Sequence, residues 1–247
     1  MAKKYDVRAA QARRRKAAAA QAKKEREMWE KIRKPLLITV AAIAAVALIW
    51  WVVVTFIYVP ANGVRVIGGS TTGVQDNWIV ANLGTTNNPQ YFHMADFDAP
   101  EGYTEDKDYA SSIYSDSNIQ TRYFTADDEN AVAKSVYVAG VANYTAQAMA
   151  ERLLSYGYFT DTEGPTTQTI GDYTVVWGYG KMQSTDDEGN YIDNQGTCTL
   201  YAYIDGIRDS SVVVTLNSAA GALDQLPTSA QMLAELEKFL PYLTVTK

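Results

Sequence analysis

YTVVWGYGKMQSTDDEGNYIDNQGTCTLYAYIDGIRDSSVVVTL, residues 173–216, alternates its side chains three times over. Tyr173, Val175, Trp177 and Tyr179 form one set against Thr174, Val176 and Gly178. Cys198, Leu200, Ala202 and Ile204 form a second against Thr199, Tyr201 and Tyr203, and Val212, Val214 and Leu216 form a third. Side chains of a strand point to opposite faces in turn, so this pattern predicts three antiparallel strands of a sheet with two unlike faces. The connections, the acidic STDDEGNYID segment and Asp205-Gly206, are short enough for hairpins.

Working outward, FHMADF and residues 121–125 and 135–141 also read as strands. Between them and the meander, Asn143 or Thr145 can cap a helix whose core face is Ala146, Met149, Ala150, Leu153 and Leu154, with Gly157 as a left-handed stop. Asn143-Tyr144-Thr145 is also a formal glycosylation sequon, which a cap explains equally. Downstream, Pro227 and the capping-box pair Thr228 and Gln231 announce a terminal helix with the stripe Leu233, Leu236, Phe239 and Leu240, stopped by Pro241. Residues 64–67 suit a short strand. The Gly-, Thr- and Asn-rich stretch that follows, with its apolar island Trp78, Ile79 and Val80, leaves residues 60–89 without a clear assignment. The order predicts an α+β fold over residues 90–247, an antiparallel sheet packed with two helices.

Ahead of this domain, residues 36–59, LLITVAAIAAVALIWWVVVTFIYV, carry no charge. Such a helix spans roughly 36 Å, enough for a hydrocarbon core of about 30 Å. Residues 1–35 hold thirteen Lys and Arg against four acidic residues, a net of +9, and residues 60–247 hold nine against twenty-four, a net of −15. Retention of positive charge beside a first helix predicts a cytoplasmic N-terminus, one membrane span and an extracytoplasmic domain. A cleaved secretory signal is the competing reading, but its apolar core is usually 7–15 residues behind a short basic region. In the basic stub, Met28, Trp29 and Ile32 fall at helical spacing and suit the headgroup layer of the bilayer, or else the stub is a solvated helix that only sets orientation. Ala41 and Ala45 have small-xxx-small spacing, and Trp50 and Trp51 lie deeper than the interfacial belt.

Composition removes much chemistry. One His, His93, and one Cys, Cys198, exclude a multi-His or Cys-rich zinc site and any intramolecular disulfide. His93 stands between aromatic and apolar neighbours without a G-x-S-x-G segment and reads as a strand residue rather than a base, while Cys198 reads as a buried thiol. No Walker sequence or strand-linked G-x-G-x-x-G occurs, so no nucleotide cofactor is expected. An acidic domain is also a poor partner for nucleic acid. Asp186, Asp187, Glu188, Gly189, Asn190 and Asp193 resemble part of a calcium loop but lack its terminal Glu, and a solvated hairpin tip explains them. No catalytic, cofactor or metal residue is assigned.

FHMADFDAPEGYT resembles the opening strand and the fdvPeGw-type turn of the PsbP-like fold, shared by the PsbP subunit of photosystem II and a Ran-binding nuclear import factor. Tyr103 stands where that pattern often has Trp. The resemblance covers residues 90–243 and implies a helix, a three-strand meander and a terminal helix in this order. It also implies a binding or assembly module without catalytic residues to carry over. The expected function is a membrane-anchored accessory module that presents an acidic domain to an envelope protein. A structural subunit of a secretion or conjugation apparatus, and a wall- or glycan-acting enzyme with paired carboxylates, are the alternatives.

Overall fold

A computed structural model describes residues 2–52, 63–64, 66–67, 70–71, 73–112 and 118–247. The chain divides into two compact units, Met1–Tyr58 and Val59–Lys247.

The first unit is a helix, α1, Ala2–Val52. Basic stub and apolar run are one continuous element, because Ala, Lys, Arg, Glu and Leu all favour the helix. Pro35 lies inside it and supplies no backbone donor, and Thr39 Oγ1 donates to the Pro35 carbonyl at 2.9 Å. Every described side chain from Gln11 to Val52 is exposed, and this segment is long and apolar enough to cross a membrane. It fits a membrane span or signal anchor. Residues 53–59 of the expected span lie outside the described residues.

The second unit begins with three short strands, β1 (Gly63–Val64), β2 (Val66–Ile67) and β3 (Ser70–Thr71), then β4 (Trp78–Asn82), β5 (Tyr91–Phe97) and β6 (Tyr103–Glu105). A short helix α2 (Lys107–Ser112) precedes β7 (Asn118–Gln120), β8 (Arg122–Ala126) and β9 (Ser135–Val141). Helix α3 (Ala146–Ser155) leads to β10 (Asp161–Ile170), β11 (Tyr173–Thr185), β12 (Tyr191–Asp205), β13 (Ser211–Asn217) and β14 (Gly221–Ala222). Helix α4 (Ser229–Phe239), a 3-10 turn (Leu240–Tyr242) and β15 (Leu243–Val245) end the chain.

The fold is α+β, with two large antiparallel sheets and the two-stranded antiparallel ribbon β2-β3. One has the order β10-β11-β12-β13-β9-β8-β6 with β14 added on β12, and the other β1-β5-β4-β7 with β15 added on β5. The predicted meander is β11–β12–β13, and of the first-named alternating sets Val175, Trp177, Tyr179, Cys198, Leu200, Ala202, Ile204, Val212, Val214 and Leu216 are buried, with Tyr173 half-buried. That face packs on the smaller sheet and on Met232, Leu236 and Phe239 of α4. Phe92, Phe97 and Phe124 are wholly buried there, a burial worth roughly 1.5–3 kcal/mol each. The opposite face of the larger sheet carries α3, whose Ala146 and Ala150 pack near Val176, Tyr203, Val213 and Ala139.

Both predicted helices start at their caps. Thr145 accepts from Ala148 N, and at α4 both halves of the Thr228–Gln231 capping box are formed. Gly157 takes φ +70° just beyond α3. Thr145 thus uses its hydroxyl as the cap, with Asn143 at φ +61° in the turn before it.

Besides short strands such as β6, β7 and β14, four elements extend the expected plan. The island Trp78–Asn82 is strand β4, lying between β5 and β7, with Ile79, Val80 and Ala81 fully buried. Strand β10 has no alternation because it is a sheet edge exposed over most of its length, where polar side chains face water on both sides. Its Pro165 sits at a register shift between Glu163 and Thr166, a place where a missing donor costs no ladder bond. The short α2 adds a helix to the two expected, and beyond Pro241 the chain resumes as β15 against β5.

Candidate functional site

The outer face of the larger sheet is covered by α3 over only part of its area. At the margin of the helix, cross-strand register builds two consecutive rungs that run across five strands. In the first, Gly178, Tyr201, Thr215, Tyr137 and Tyr123 stand side by side on β11, β12, β13, β9 and β8. In the second, Gly180, Thr199, Asn217, Ser135 and Thr125 occupy the same strands. Neither rung holds a charged side chain.

The polar rung is hydrogen-bonded within itself. Thr199 Oγ1 donates to Asn217 Oδ1 at 2.9 Å, and Asn217 Nδ2 donates to Ser135 Oγ at 3.1 Å. Thr199 and Ser135 are buried, and these bonds compensate their desolvation. Burial pushes the Tyr201 and Tyr137 phenols above their ordinary pKa, against side-chain hydrogen bonds with Thr199 and Thr121 respectively. Both therefore stay neutral donors in the physiological range.

Aromatic rings frame the tyrosine rung at both ends. Phe159 meets Tyr201 edge-on, with centroids 5.9 Å apart, and Tyr109 packs on Tyr123 at 4.2 Å. The two glycines make the first contact possible from below: a Cβ on Gly180 would lie 2.4 Å from the Phe159 ring, and one on Gly178 would lie 3.1 Å from Leu154 of α3. Tyr201, Tyr137 and Tyr123 remain half-buried and Tyr109 is exposed, which leaves an uncharged aromatic and hydroxyl surface open on an acidic domain. Its signal in the sequence is the occurrence of Tyr at outward positions of three separate strands. Only the register shows that they share one rung.

The residues weighed for chemistry are dispersed over other elements. His93 lies on β5, stacked on Trp78 with ring centroids 4.1 Å apart and with Nε2 3.4 Å from Asp96 Oδ1. Cys198 is fully buried on β12, its Sγ 3.5 Å from the Pro227 carbonyl. The acidic cluster tips the β11–β12 hairpin, where Asp186 accepts from Glu188 N and from both nitrogens of Asn190, and Gly189 takes φ +85°. The backbone bond from Asn190, first, and its side-chain amide hold the Asp186 carboxyl below the usual range. Those oxygens are occupied by the turn itself. Among the described residues, no group of three His, Cys, Asp or Glu is placed to hold a metal.

No family model and no curated protein matches the chain. Solved structures similar to it include the Ran-binding protein Mog1p of Saccharomyces cerevisiae, at 15% identity and TM-score 0.41, covering 70% of this chain and 97% of that one. A Mog1 mutant has 15% identity and TM-score 0.39 over 62% and 92%. LpqN of Mycobacterium tuberculosis, described as involved in cell envelope biogenesis, has 12% identity and TM-score 0.33 over 62% and 83%.

Proposed function

We propose that the chain is a membrane-tethered, non-catalytic binding module, with α1 as a signal anchor, a cytoplasmic N-terminus and the sheet unit outside. The unit presents its uncharged tyrosine rung to a protein partner of the cell envelope. The observation that carries this reading is the rung of Tyr201, Thr215, Tyr137 and Tyr123, whose three tyrosines stay half-buried at the margin of α3. Tyrosine brings large amphipathic contact area at low entropic cost, and charged residues are depleted at the centres of interfaces. A rung with no charge, on a unit of net charge −15, has the character of such a centre.

The test is crosslinking of the full chain in its native membranes, followed by purification. A double substitution, Tyr137→Ser with Tyr201→Ser, is expected to abolish the crosslinked species, while Tyr191→Ser at the exposed hairpin strand keeps it. Circular dichroism of each purified chain checks folding. Absence of any crosslinked protein with the parent chain sinks the reading.

The second reading, a structural subunit of a secretion or conjugation apparatus, shares the anchored topology. It predicts a long helix at the start of the outer domain, whereas the described residues after α1 open on short strands.

A further inference from the structure

Met28, Trp29, Ile32 and Leu36 are all about half exposed or more on α1, at 57%, 64%, 49% and 50%. At 100° per residue these four positions fall within an arc of about 100°, so the apolar surface of the span continues for two turns into the basic stub along one stripe. Glu25 occupies the same face one turn earlier and ends it. Lys24, Arg26, Lys31 and Arg33 flank the stripe and Lys23 and Lys34 lie behind it, with Glu27 and Glu30, so residues 23–34 carry six basic and three acidic side chains. Measured along the helix, Ile32 lies about 6 Å and Trp29 about 10 Å before the uncharged run, a depth that matches the headgroup layer for a tilted helix. The stripe has no protein neighbour within the unit to cover it: every described side chain of this segment is exposed.

A stripe that is apolar in the middle and cationic on its flanks fits a surface that is apolar below and anionic above. We propose that residues 23–36 of α1 form a docking surface for anionic phospholipid of the leaflet they enter, with Trp29 and Ile32 inserted at headgroup depth and the six Lys and Arg of 23–34 on lipid phosphates. The proposal rests on α1 crossing a membrane. It adds a lipid preference to the anchor, so that the composition of the leaflet, and not only its thickness, holds the protein. Charge complementarity selects the occupant: residues 23–36 carry a net of +3 within a stub of +9, and anionic headgroups supply the opposite sign at the depth where the apolar stripe ends.

The test uses the full chain in nanodiscs that contain acyl-brominated phosphatidylglycerol or acyl-brominated phosphatidylcholine at equal mole fraction. The Trp29 signal is the difference between the parent and Trp29→Phe, and the span signal is the difference between the parent and Trp50→Phe with Trp51→Phe. All three positions are exposed on α1, so these variants leave the sheet unit untouched. Trp29 is expected to be quenched at least about twofold more by the glycerol lipid. The gap should close when Lys23, Lys24, Arg26, Lys31, Arg33 and Lys34 are changed to Gln, with Trp50 and Trp51 quenched alike by both lipids throughout. Equal quenching of Trp29 by the two lipids, or a gap that survives the neutralised chain, overturns the proposal while leaving the span intact. Unquenched Trp50 and Trp51 overturn the span and the docking surface together. Equal quenching accompanied by duplex DNA binding to the discs overturns it in favour of a nucleic-acid role for the stub.

Discussion

Tyr179 and Cys198 converge on one acceptor: the Tyr179 hydroxyl donates to the Pro227 carbonyl at 2.7 Å, and the Cys198 thiol points at the same oxygen from 3.5 Å. Two neighbouring strands of the meander thereby hold the residue that opens into α4. Burial raises the Tyr179 phenol well above its ordinary pKa, so it remains a donor at any physiological pH. Tyr179→Phe leaves that carbonyl with only a weak thiol donor and is expected to cost about 1–2 kcal/mol. Chemical denaturation of the full chain in detergent measures it. The thiol of Cys198 should be unreactive toward aromatic disulfide reagents until the sheet unfolds, and labelling at the native rate of a free thiol would contradict its burial.

Arg122 couples the sheets: its ion pair with Glu105 lies within the larger one, between β8 and β6, and its third nitrogen reaches the smaller one. Arg122 Nε and Nη2 each lie 2.8 Å from the two Glu105 oxygens, while Nη1 donates to the Phe97 carbonyl of the other sheet. Both side chains are largely withdrawn from water, so Glu105→Ala strands a buried guanidinium and is expected to cost about 3 kcal/mol. The double variant Arg122→Met with Glu105→Leu should recover much of that loss. A double variant as unstable as the worse single one would mean that the carbonyl contact, not the pair, holds the arginine.

Helix α3 is capped twice. Besides Thr145, Asp205, the last residue of β12, accepts from Ala146 N at 2.7 Å. Asp205→Ala should therefore loosen α3 by about 1 kcal/mol and raise hydrogen exchange in its first turn. Unchanged exchange there would show that Thr145 alone suffices.

At the hairpin tip, the folded pKa of Asp186 lies below its unfolded value, so its bonds to Glu188 N and Asn190 support the turn fully above the ordinary carboxylate pKa of about 4. Support is lost as pH falls through the lower, folded value. The amide resonances of Glu188 and Asn190 should follow that titration, and Asp186→Asn should remove it. Calcium titration is expected to leave the thermal midpoint unchanged, and a rise with calcium would reopen the loop as a cation site.

Gly180→Ala puts a methyl group within 2.4 Å of Phe159 as the ring now stands, so the ring must leave its edge contact with Tyr201. The expected cost is about 1–3 kcal/mol. Loss of the ring-current shift on Tyr201 reports the displacement, and an unshifted Tyr201 would show that the strand moves instead.

Much of this architecture is decided within a few residues of chain. Alternation at 173–179 and 198–204, the caps at Thr145 and Thr228, the stop at Gly157 and the charge-free run from Leu36 are local signals, because side-chain period, orphan helix donors and transfer of apolar groups are local physics. Strand β10 shows no period because an exposed edge imposes none, and Trp78–Asn82 is too short to outweigh its Gly- and Asn-rich surroundings until β5 and β7 pair on either side of it. The partner of Arg122 and the rung of Tyr201, Tyr137 and Tyr123 are decided only by the tertiary structure. A shift of register by one residue would turn those tyrosines into the core, and register is set by cross-strand pairing between segments far apart in the chain. Sequence alone determined the meander strands, the two capped helices and the charge-free run. Folding decided which of them meet.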